Sequence, residues 1–410
     1  MHANMPTNII LIVASLAFAG FLFRPSMLKS SFWRATVTPL ASIVGSGFLI
    51  AGPILYHAAG SAAWIAMAAL CFLSYVFGSA VRENITHIEM REDRTKFQSV
   101  VNGIADYVLA GAYFISVAYY LNLFAAFGLR LFGSTDPEII RIISTCAIAS
   151  IGAVGAFGGL KALESLEVGT VGLKLAVIGG LLTTLLITSA FAWTQGTPPI
   201  HPIPADGRGW DEIRTILGLV VLVQGFETSR YLGKKYDPEM RVRTMRRAQW
   251  IATGIYVSFI FLFMPYFTGA LAGNGAETAI IDMLAPLGVA LTPLLIAAAL
   301  ASQSSAAIAD TNGAGGLIAE ASGGRIPVKP AYLVIAGVAI VMTWSFNIFE
   351  IIAFASRAFV AYYALQNLLA ASAAARRGAW PRAALYAGAF ILAVVIIIVV
   401  LLLLASNLLI

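Results

Sequence analysis

The feature that most constrains this chain is a succession of apolar runs, each of roughly 17 residues or more, separated by short polar segments. A helix of about 20 apolar residues crosses a bilayer, so each run predicts one membrane-spanning helix. The runs lie near 7–23, 36–58, 60–81, 99–127, 138–158, 165–191, 211–233, 248–270, 288–309, 330–347, 349–373 and 383–407. They predict an all-α polytopic membrane protein with about twelve transmembrane helices.

The composition argues against soluble classes of protein. Of the 410 residues, 59% are hydrophobic and only 11% are charged, whereas a soluble domain carries about 25% charged residues. A water-soluble enzyme, a disordered regulator and a nucleic-acid binder are thereby disfavoured. Cys71 and Cys146 lie in apolar runs and the four histidines are scattered, so we expect no metal site and no cofactor. No motif of an intramembrane enzyme occupies the helices, and we expect no enzymatic activity.

The positive charges predict the orientation of the chain. If 24–34, 82–98, 159–164, 234–247, 310–329 and 374–382 are cytoplasmic loops, they hold 19 of the 26 Lys and Arg residues. Cytoplasmic loops are enriched in basic residues, so both termini are expected outside. The expected location is a bacterial inner (plasma) membrane.

Two of the predicted helices are interrupted at mid-membrane depth. The run 36–58 contains GSG (45–47), and the run 211–233 contains QGFE (224–227). Five spans separate the starts of these two helices, so the second half must enter the membrane from the opposite side. Interrupted helices at matching positions of inverted halves indicate the central site of a transporter. Glycines that merely pack helices together are the alternative.

These motifs resemble those of a known family. GSGFL (45–49) resembles a signature of the amino acid–polyamine–organocation (APC) superfamily, and QGFE (224–227) resembles the G-F-E element of its sixth core helix. GGLIAEASGGRIP (315–327) is similar to the segment after the eighth core helix. The resemblance spans roughly 36–373 and implies a LeuT-like core of ten helices. It also implies a secondary active transporter that moves an amino acid or a related amine by alternating access.

The resemblance divides the chain into five parts. Residues 1–35 form an extra transmembrane helix and a cytoplasmic link, which the ten-helix core does not require. The two five-helix inverted repeats are expected at 36–191 and 211–373, joined by an extracellular loop at 192–210. A trailing transmembrane helix occupies 374–410.

The two interruptions supply the predicted substrate site. Unwound backbone in a membrane leaves amide and carbonyl groups without partners, and a ligand can satisfy them. Amides that begin a half-helix favour a carboxylate, whereas carbonyls that end one favour an ammonium. Such a site suits a zwitterion. The predicted substrate-binding residues lie at one or the other break: Ile43, Gly45, Ser46, Gly47, Gln224, Gly225, Phe226 and Glu227.

Glu227 has two interpretations. A charge at bilayer depth costs at least about 2.5–3.5 kcal/mol, so this carboxyl must be paired, protonated or used. It either faces a cavity and senses a substrate amine or a coupled proton, or it pairs structurally with Arg230, three residues further along.

Lys174 lies well inside the span 165–191. By resemblance it occupies the place in the fifth core helix where sodium-coupled relatives bind sodium. It would then bridge carbonyls of the first core helix near Ile43 and the eighth core helix near Ser304. The predicted ion-coupling residues are therefore Lys174, Ser304 and Glu227, with proton coupling or exchange expected in place of sodium coupling. The alternative is a lysine that snorkels to the inner face.

The expected partners are a small-molecule substrate, protons and the lipid bilayer. Two other functions stay open for a chain of this fold. One is a channel, although the sequence has no motif that resembles a selectivity filter. The other is a membrane sensor that does not transport.

Overall fold

The computed structural model describes residues 5–45, 47–89, 95–158, 160–195, 209–232, 236–267 and 276–407. Within these ranges the chain is almost entirely helical and contains no strand. The α-helices are α1 (Met5–Leu22), α2 (Pro25–Lys29), α3 (Ser31–Ile43), α4 (Gly47–Ala59), α5 (Ala63–His87), α6 (Lys96–Leu129), α7 (Pro137–Gly158), α8 (Leu160–Thr194), α9 (Trp210–Gly218), α10 (Pro238–Phe263), α11 (Ile280–Leu284), α12 (Leu291–Ala321), α13 (Val328–Ser345), α14 (Ile348–Arg376) and α15 (Trp380–Asn407).

Ten helical stretches in the described part of the chain are long and apolar enough to cross a membrane. The sequence predicted about twelve, and the difference has a physical cause. The helices predicted at 36–58 and 211–233 are both broken, so α3 and α9 are only 13 and 9 residues long. In addition, α4 and α5 are joined by the short 3₁₀ turn Gly60–Ala62 and form one apolar stretch.

The helices divide into a central group and a peripheral group. In the apolar windows of α6 and α12, 72% and 67% of the residues are buried inside the molecule, whereas in α1 and α7 the figures are 17% and 22%. An apolar helix that leaves most of its surface uncovered is suited to contact with lipid. The site described below lies among the central helices.

Helix α1 packs along α8. Its close approach depends on small residues of α8: a Cβ added at Gly180 would lie 2.0 Å from the hydroxyl oxygen of Ser15, and one added at Gly179 would lie 2.6 Å from the ring of Phe18. Small residues of this kind let two membrane helices approach closely. Helix α1 is therefore attached to the helix that carries Lys174.

Candidate functional site

The first interrupted helix consists of α3 and α4. α3 ends at Ile43 because Val44 has left helical geometry, with φ −82° and ψ 36°. Gly45 follows in a turn, and α4 begins at Gly47. Ser46, which was predicted to bind substrate, lies outside the described residues. The break therefore occurs at the predicted place and is short.

The second interrupted helix is unwound over a longer stretch. α9 ends at Gly218, and the 3₁₀ segment Leu219–Val223 continues from it to the break. Gln224 is extended, and Gly225 has a φ of 111°, a conformation that favours glycine. A second 3₁₀ segment, Phe226–Leu232, follows. 3₁₀ geometry within a helix often marks a hinge or a strained sequence, and here it flanks the break on both sides.

The two breaks are in direct contact. A Cβ added at Gly47 would lie 2.6 Å from the Cβ of Leu222. One added at Gly225 would lie 2.6 Å from the Cβ of Ser42 and 2.7 Å from the backbone nitrogen of Ile43. Real side chains do not approach so closely, so both positions require glycine. These glycines thus allow the two breaks to pack together. Helix packing was the alternative role that the sequence offered for glycines at these positions.

Hydroxyl groups from neighbouring helices cap the backbone of the breaks. The hydroxyl of Tyr256 on α10 lies 3.0 Å from the carbonyl oxygen of Ile43 and 2.7 Å from that of Leu222, one from each break. Ser302 on α12 lies 3.1 Å from the carbonyl oxygen of Val44. Carbonyls predicted to face an ammonium are therefore already hydrogen-bonded. Each retains a second lone pair with which to accept another bond.

Glu227 is fully buried beside the second break. Its Oε2 accepts hydrogen bonds from the backbone N–H of Gly225 (2.9 Å) and from the hydroxyl of Tyr363 (2.8 Å). The ring of Tyr363 also stacks on Phe226, with ring centroids 4.9 Å apart. Oε1 of Glu227 has no hydrogen-bond partner among the described residues. One carboxylate oxygen is thus held by two hydrogen bonds, and the other has none among the described residues.

Arg230 points elsewhere. Its guanidinium donates to Glu89 at 2.9 Å and lies 3.8 Å from Asp106, and Arg241 donates to Glu89 as well. The structural pair between Glu227 and Arg230 that the sequence allowed is not formed, because the long arginine side chain extends to two other acids. These contacts join the second broken helix to α6 and α10 at the end of the molecule that the basic loops predict to be cytoplasmic.

Lys174 on α8 is fully buried and bridges two other helices. Its Nζ donates to the carbonyl oxygen of Ala41 on α3 at 2.6 Å and to the hydroxyl of Ser305 on α12 at 3.3 Å. The first core helix and the eighth are thus both reached, as the resemblance implied, but through neighbouring residues. Ser304 is one position away and bonds to the carbonyl oxygens of Leu300 and Ala301 in its own helix instead.

The reason for the difference is helical geometry. Successive residues on an α-helix point about 100° apart, so Ser304 and Ser305 cannot both face α8. Because the side chain of Lys174 is fully buried and bonded to two helices, it does not snorkel to the membrane surface.

The sequence matches the family described as APC superfamily transporter over residues 25–401. The chain belongs to this superfamily. An uncharacterized protein of Aquifex aeolicus (strain VF5) is 36% identical to this APC transporter over 374 residues, which cover 89% of each chain. The resemblance predicted from the short motifs is therefore confirmed.

Solved structures confirm the fold of this APC transporter. A Na⁺-coupled sialic acid symporter in a substrate-bound outward-open state aligns over 95% of this chain and 96% of its own, with a TM-score of 0.53 and 14% identity. A nucleobase-cation-symport-1 family transporter, closed with bromovinylhydantoin bound, aligns over 85% and 81% with a TM-score of 0.53 and 16% identity. Both have the LeuT fold, so the all-α, LeuT-like architecture predicted from the sequence is correct.

The sequence did not single out three hydroxyl groups of this APC transporter that the structure brings to the breaks, those of Ser74, Tyr256 and Tyr363. Ser302 and Ser305 also lie there, and the sequence offered these serines of the eighth core helix either for an ion site or for helix packing. Each meets a partner more than 100 residues away along the chain, so no local spacing could have paired them. Their one signal was a hydroxyl inside an apolar run, which many helix-packing residues share.

Proposed function

We propose that this APC transporter moves an amino acid or a related amine by alternating access, coupled to protons or run as exchange and independent of sodium. One observation carries this proposal: the two broken helices contact each other beside the carboxyl group of Glu227, and one oxygen of that group has no hydrogen-bond partner among the described residues. The breaks contact each other through Gly47 and Gly225, and Glu227 lies beside them. This arrangement puts unwound backbone of the two broken helices in one place, as at the central site of inverted-repeat transporters, with an acid beside it.

The chemistry of the site favours an ammonium group. Oε1 of Glu227 and the amide oxygen of Gln224 are buried and have no hydrogen-bond partner among the described residues. Both atoms accept hydrogen bonds, so a ligand that satisfies them must donate. A charge-assisted bond from an ammonium to the carboxylate is about twice as strong as a neutral bond. The N-terminus of α4 at Gly47 offers the complementary position for a carboxylate.

The coupling is inferred from Lys174. Its ammonium lies between α3, α8 and α12 and is bonded to oxygens of the first and last of these helices. A sodium ion at this position would meet a positive charge within a few ångströms, in a low-dielectric interior where repulsion is strong. The sialic acid symporter is Na⁺-coupled. At 14% identity its likeness to this chain concerns the fold, and Lys174 is our reason to expect a different coupling here.

Reconstitution of the purified protein into liposomes tests the proposal. A thermal-shift screen against amino acids, amines and nucleobases selects the compound to be labelled. We expect saturable counterflow of a labelled amino acid or amine, at the same rate when sodium is replaced by choline. Stimulation by sodium would contradict the coupling. Ohmic current without saturation would indicate a channel, and ligand binding without flux would indicate a sensor.

A variant of Lys174 tests the residue itself. Lys174→Met keeps the apolar stem and removes the charge, so we expect it to stop or uncouple uptake. Lys329→Met, at the beginning of α13 where the side chain is exposed, is the matched control and is expected to transport normally. Equal uptake by both variants would show that the ammonium of Lys174 has no part in coupling.

A further inference from the structure

A second buried acid lies in this protein and has no role in the site described above. Asp310 is on α12, five residues beyond the serine that meets Lys174, and its side chain is fully buried. An acid inside a membrane protein is costly to bury and commonly marks a path for ions or protons. The environment of Asp310 shows how this cost is met.

Asp310 is hydrogen-bonded to α6 through the hydroxyl of Ser116, which has two acceptors within reach. Oγ of Ser116, also fully buried, contacts Oδ2 of Asp310 and lies 3.0 Å from the carbonyl oxygen of Tyr113 in its own helix. A serine hydroxyl has one proton and rotates to place it. With Asp310 ionised, Ser116 donates to the carboxylate. With Asp310 protonated, the acid donates to Oγ and Ser116 donates to the carbonyl of Tyr113.

The same heavy-atom positions thus accommodate either protonation state with a complete chain of hydrogen bonds. The overall change is the addition of one proton to Oδ2, taken from water on the side to which the transporter is open, and a rotation of the Ser116 hydroxyl. No side chain has to move, and in neither state is the proton of the Ser116 hydroxyl or of the Asp310 carboxyl left without an acceptor.

The neighbouring titratable groups come from each of the surrounding elements. On α6, Tyr113 and Tyr120 both lie in the electrostatic field of Asp310. Glu227, on the second broken helix, acts on the same two tyrosines, and Lys174 reaches α12 from α8. On α13, Tyr332 bonds to Asn312 at 3.4 Å.

Tyr113 connects the two acids. A Cβ added at Gly313 would lie 2.9 Å from Cε2 of Tyr113, so the tyrosine ring packs against α12 within one turn of Asp310. Its hydroxyl is buried and has no hydrogen-bond partner among the described residues. Glu227 and Asp310 both lie near this ring.

We infer that Asp310, together with Ser116, is a proton-binding site of this transporter, distinct from Glu227 and Lys174, and loaded and unloaded once in each cycle. Loading and unloading in a transport cycle rests on the proposed function, whereas the binding of a proton by Asp310 does not. Asp310 is the group that titrates, and Ser116 positions it.

Infrared spectroscopy tests proton binding without any substrate. The full-length protein in lipid vesicles is titrated with acid, and the carbonyl stretch of protonated carboxylic acid is followed. We expect a band that Asp310→Asn removes and that Asp282→Asn, a change at a side chain 68% exposed to solvent, leaves in place. If Asp310→Asn gives the spectrum of the native protein, the inference is wrong.

Ser116→Ala keeps the experiment decisive should Asp310→Asn fail to fold. The hydroxyl donates its stronger, charge-assisted bond to the ionised form, so its removal is expected to shift the midpoint of the band to higher pH by about one unit. An unchanged midpoint would overturn the role of Ser116 and with it the proposed site.

Transport separates this inference from the proposed function. In proteoliposomes with the compound selected by thermal shift, Asp310→Asn is expected to retain counterflow and to lose uptake driven by a pH gradient. Uptake driven by the gradient in this variant would contradict a coupling role for Asp310. Absence of counterflow in the native protein would instead contradict the proposed function, and the infrared titration would still decide whether Asp310 binds a proton.

Discussion

The two broken helices perform the same topological task with different chemistry. The first passes from one regular α-helix to another through a short turn, whereas the second is extended at Gln224 and flanked by 3₁₀ segments. Hydroxyl groups cap carbonyls at both breaks, from Tyr256 and Ser302 at the first and from Tyr256 and Ser74 at the second. Beside the second lies Glu227, with one oxygen fixed and the other unused.

The difference indicates that the two breaks have different roles, one in holding the backbone in place and one in responding to ligand. Capped carbonyls hold a backbone in place, because each lost hydrogen bond in a buried site costs about 1–3 kcal/mol. Irregular 3₁₀ backbone has poorer hydrogen-bond geometry and yields more easily. Both breaks are capped, so the 3₁₀ geometry alone leads us to regard the first break as the rigid partner and the second as the one that responds to ligand. The following predictions test this comparison.

The largest effect is expected at the contact between the breaks. Gly225→Ala forces a side chain into a conformation with φ 111° and against Ser42. Strain of about 1–2 kcal/mol and overpacking of about 1–3 kcal/mol should together lower the melting temperature of the purified protein strongly. Gly218→Ala, at φ −63° with open space around it, is the control and should be neutral or slightly stabilising. Similar melting of the two variants would show that the breaks are not tightly packed.

The next effect concerns the shared cap. Tyr256→Phe removes the hydroxyl that reaches a carbonyl of each break, and the loss should cost about 1–3 kcal/mol of stability. Tyr113→Phe is the matched control, because its hydroxyl is equally buried and has no hydrogen-bond partner among the described residues. Thermal unfolding in detergent should rank the Tyr256 variant well below the Tyr113 variant. The reverse order would show that the hydroxyl shared by the two breaks does not stabilise them.

At the second break we expect a smaller change, and we expect it in the free energy of ligand binding and not in the free energy of unfolding. Glu227→Gln keeps the acceptors for Gly225 and Tyr363 but removes the charge. The affinity for an ammonium-bearing ligand should fall about tenfold or more, equivalent to about 1.4 kcal/mol, while the melting temperature of the ligand-free protein stays nearly constant. Thermal shift with amino acids and amines measures both quantities. Glu350→Gln, a change in a helix cap of α14, should not alter binding. Normal binding with lower stability would assign Glu227 a structural role.

The smallest effects distinguish two adjacent serines. Ser305→Ala removes one acceptor of Lys174 and should cost about 1 kcal/mol of stability. Ser304→Ala removes bonds only to carbonyls of its own helix and should fall within about 0.5 kcal/mol of the native protein. If the Ser304 variant is the more destabilised of the two, the contact between Lys174 and α12 has been assigned to the wrong hydroxyl.

The sequence alone determined the class of protein, the positions of the broken helices and the family. A long apolar run is stable in a bilayer as a helix, because a helix makes the hydrogen bonds of its backbone N–H and C=O groups within the segment. Glycines inside such runs mark the interruptions at 45–47 and 224–225. The need of Lys174 for hydrogen-bond acceptors could also be predicted, since a lysine in an apolar span must find them.

Tertiary structure alone decided which atoms meet. The partners of Lys174 proved to be Ala41 and Ser305, and Arg230 turned away from Glu227 toward Glu89. Tyr256 and Ile43, which are 213 residues apart in the chain, became neighbours. A rotation of about 100° per residue decides which of two adjacent side chains faces a neighbouring helix, and only the packing of whole helices sets that rotation. The sequence shows which residues are candidates for the site. The rotation and depth of each helix decide which of these residues contact one another.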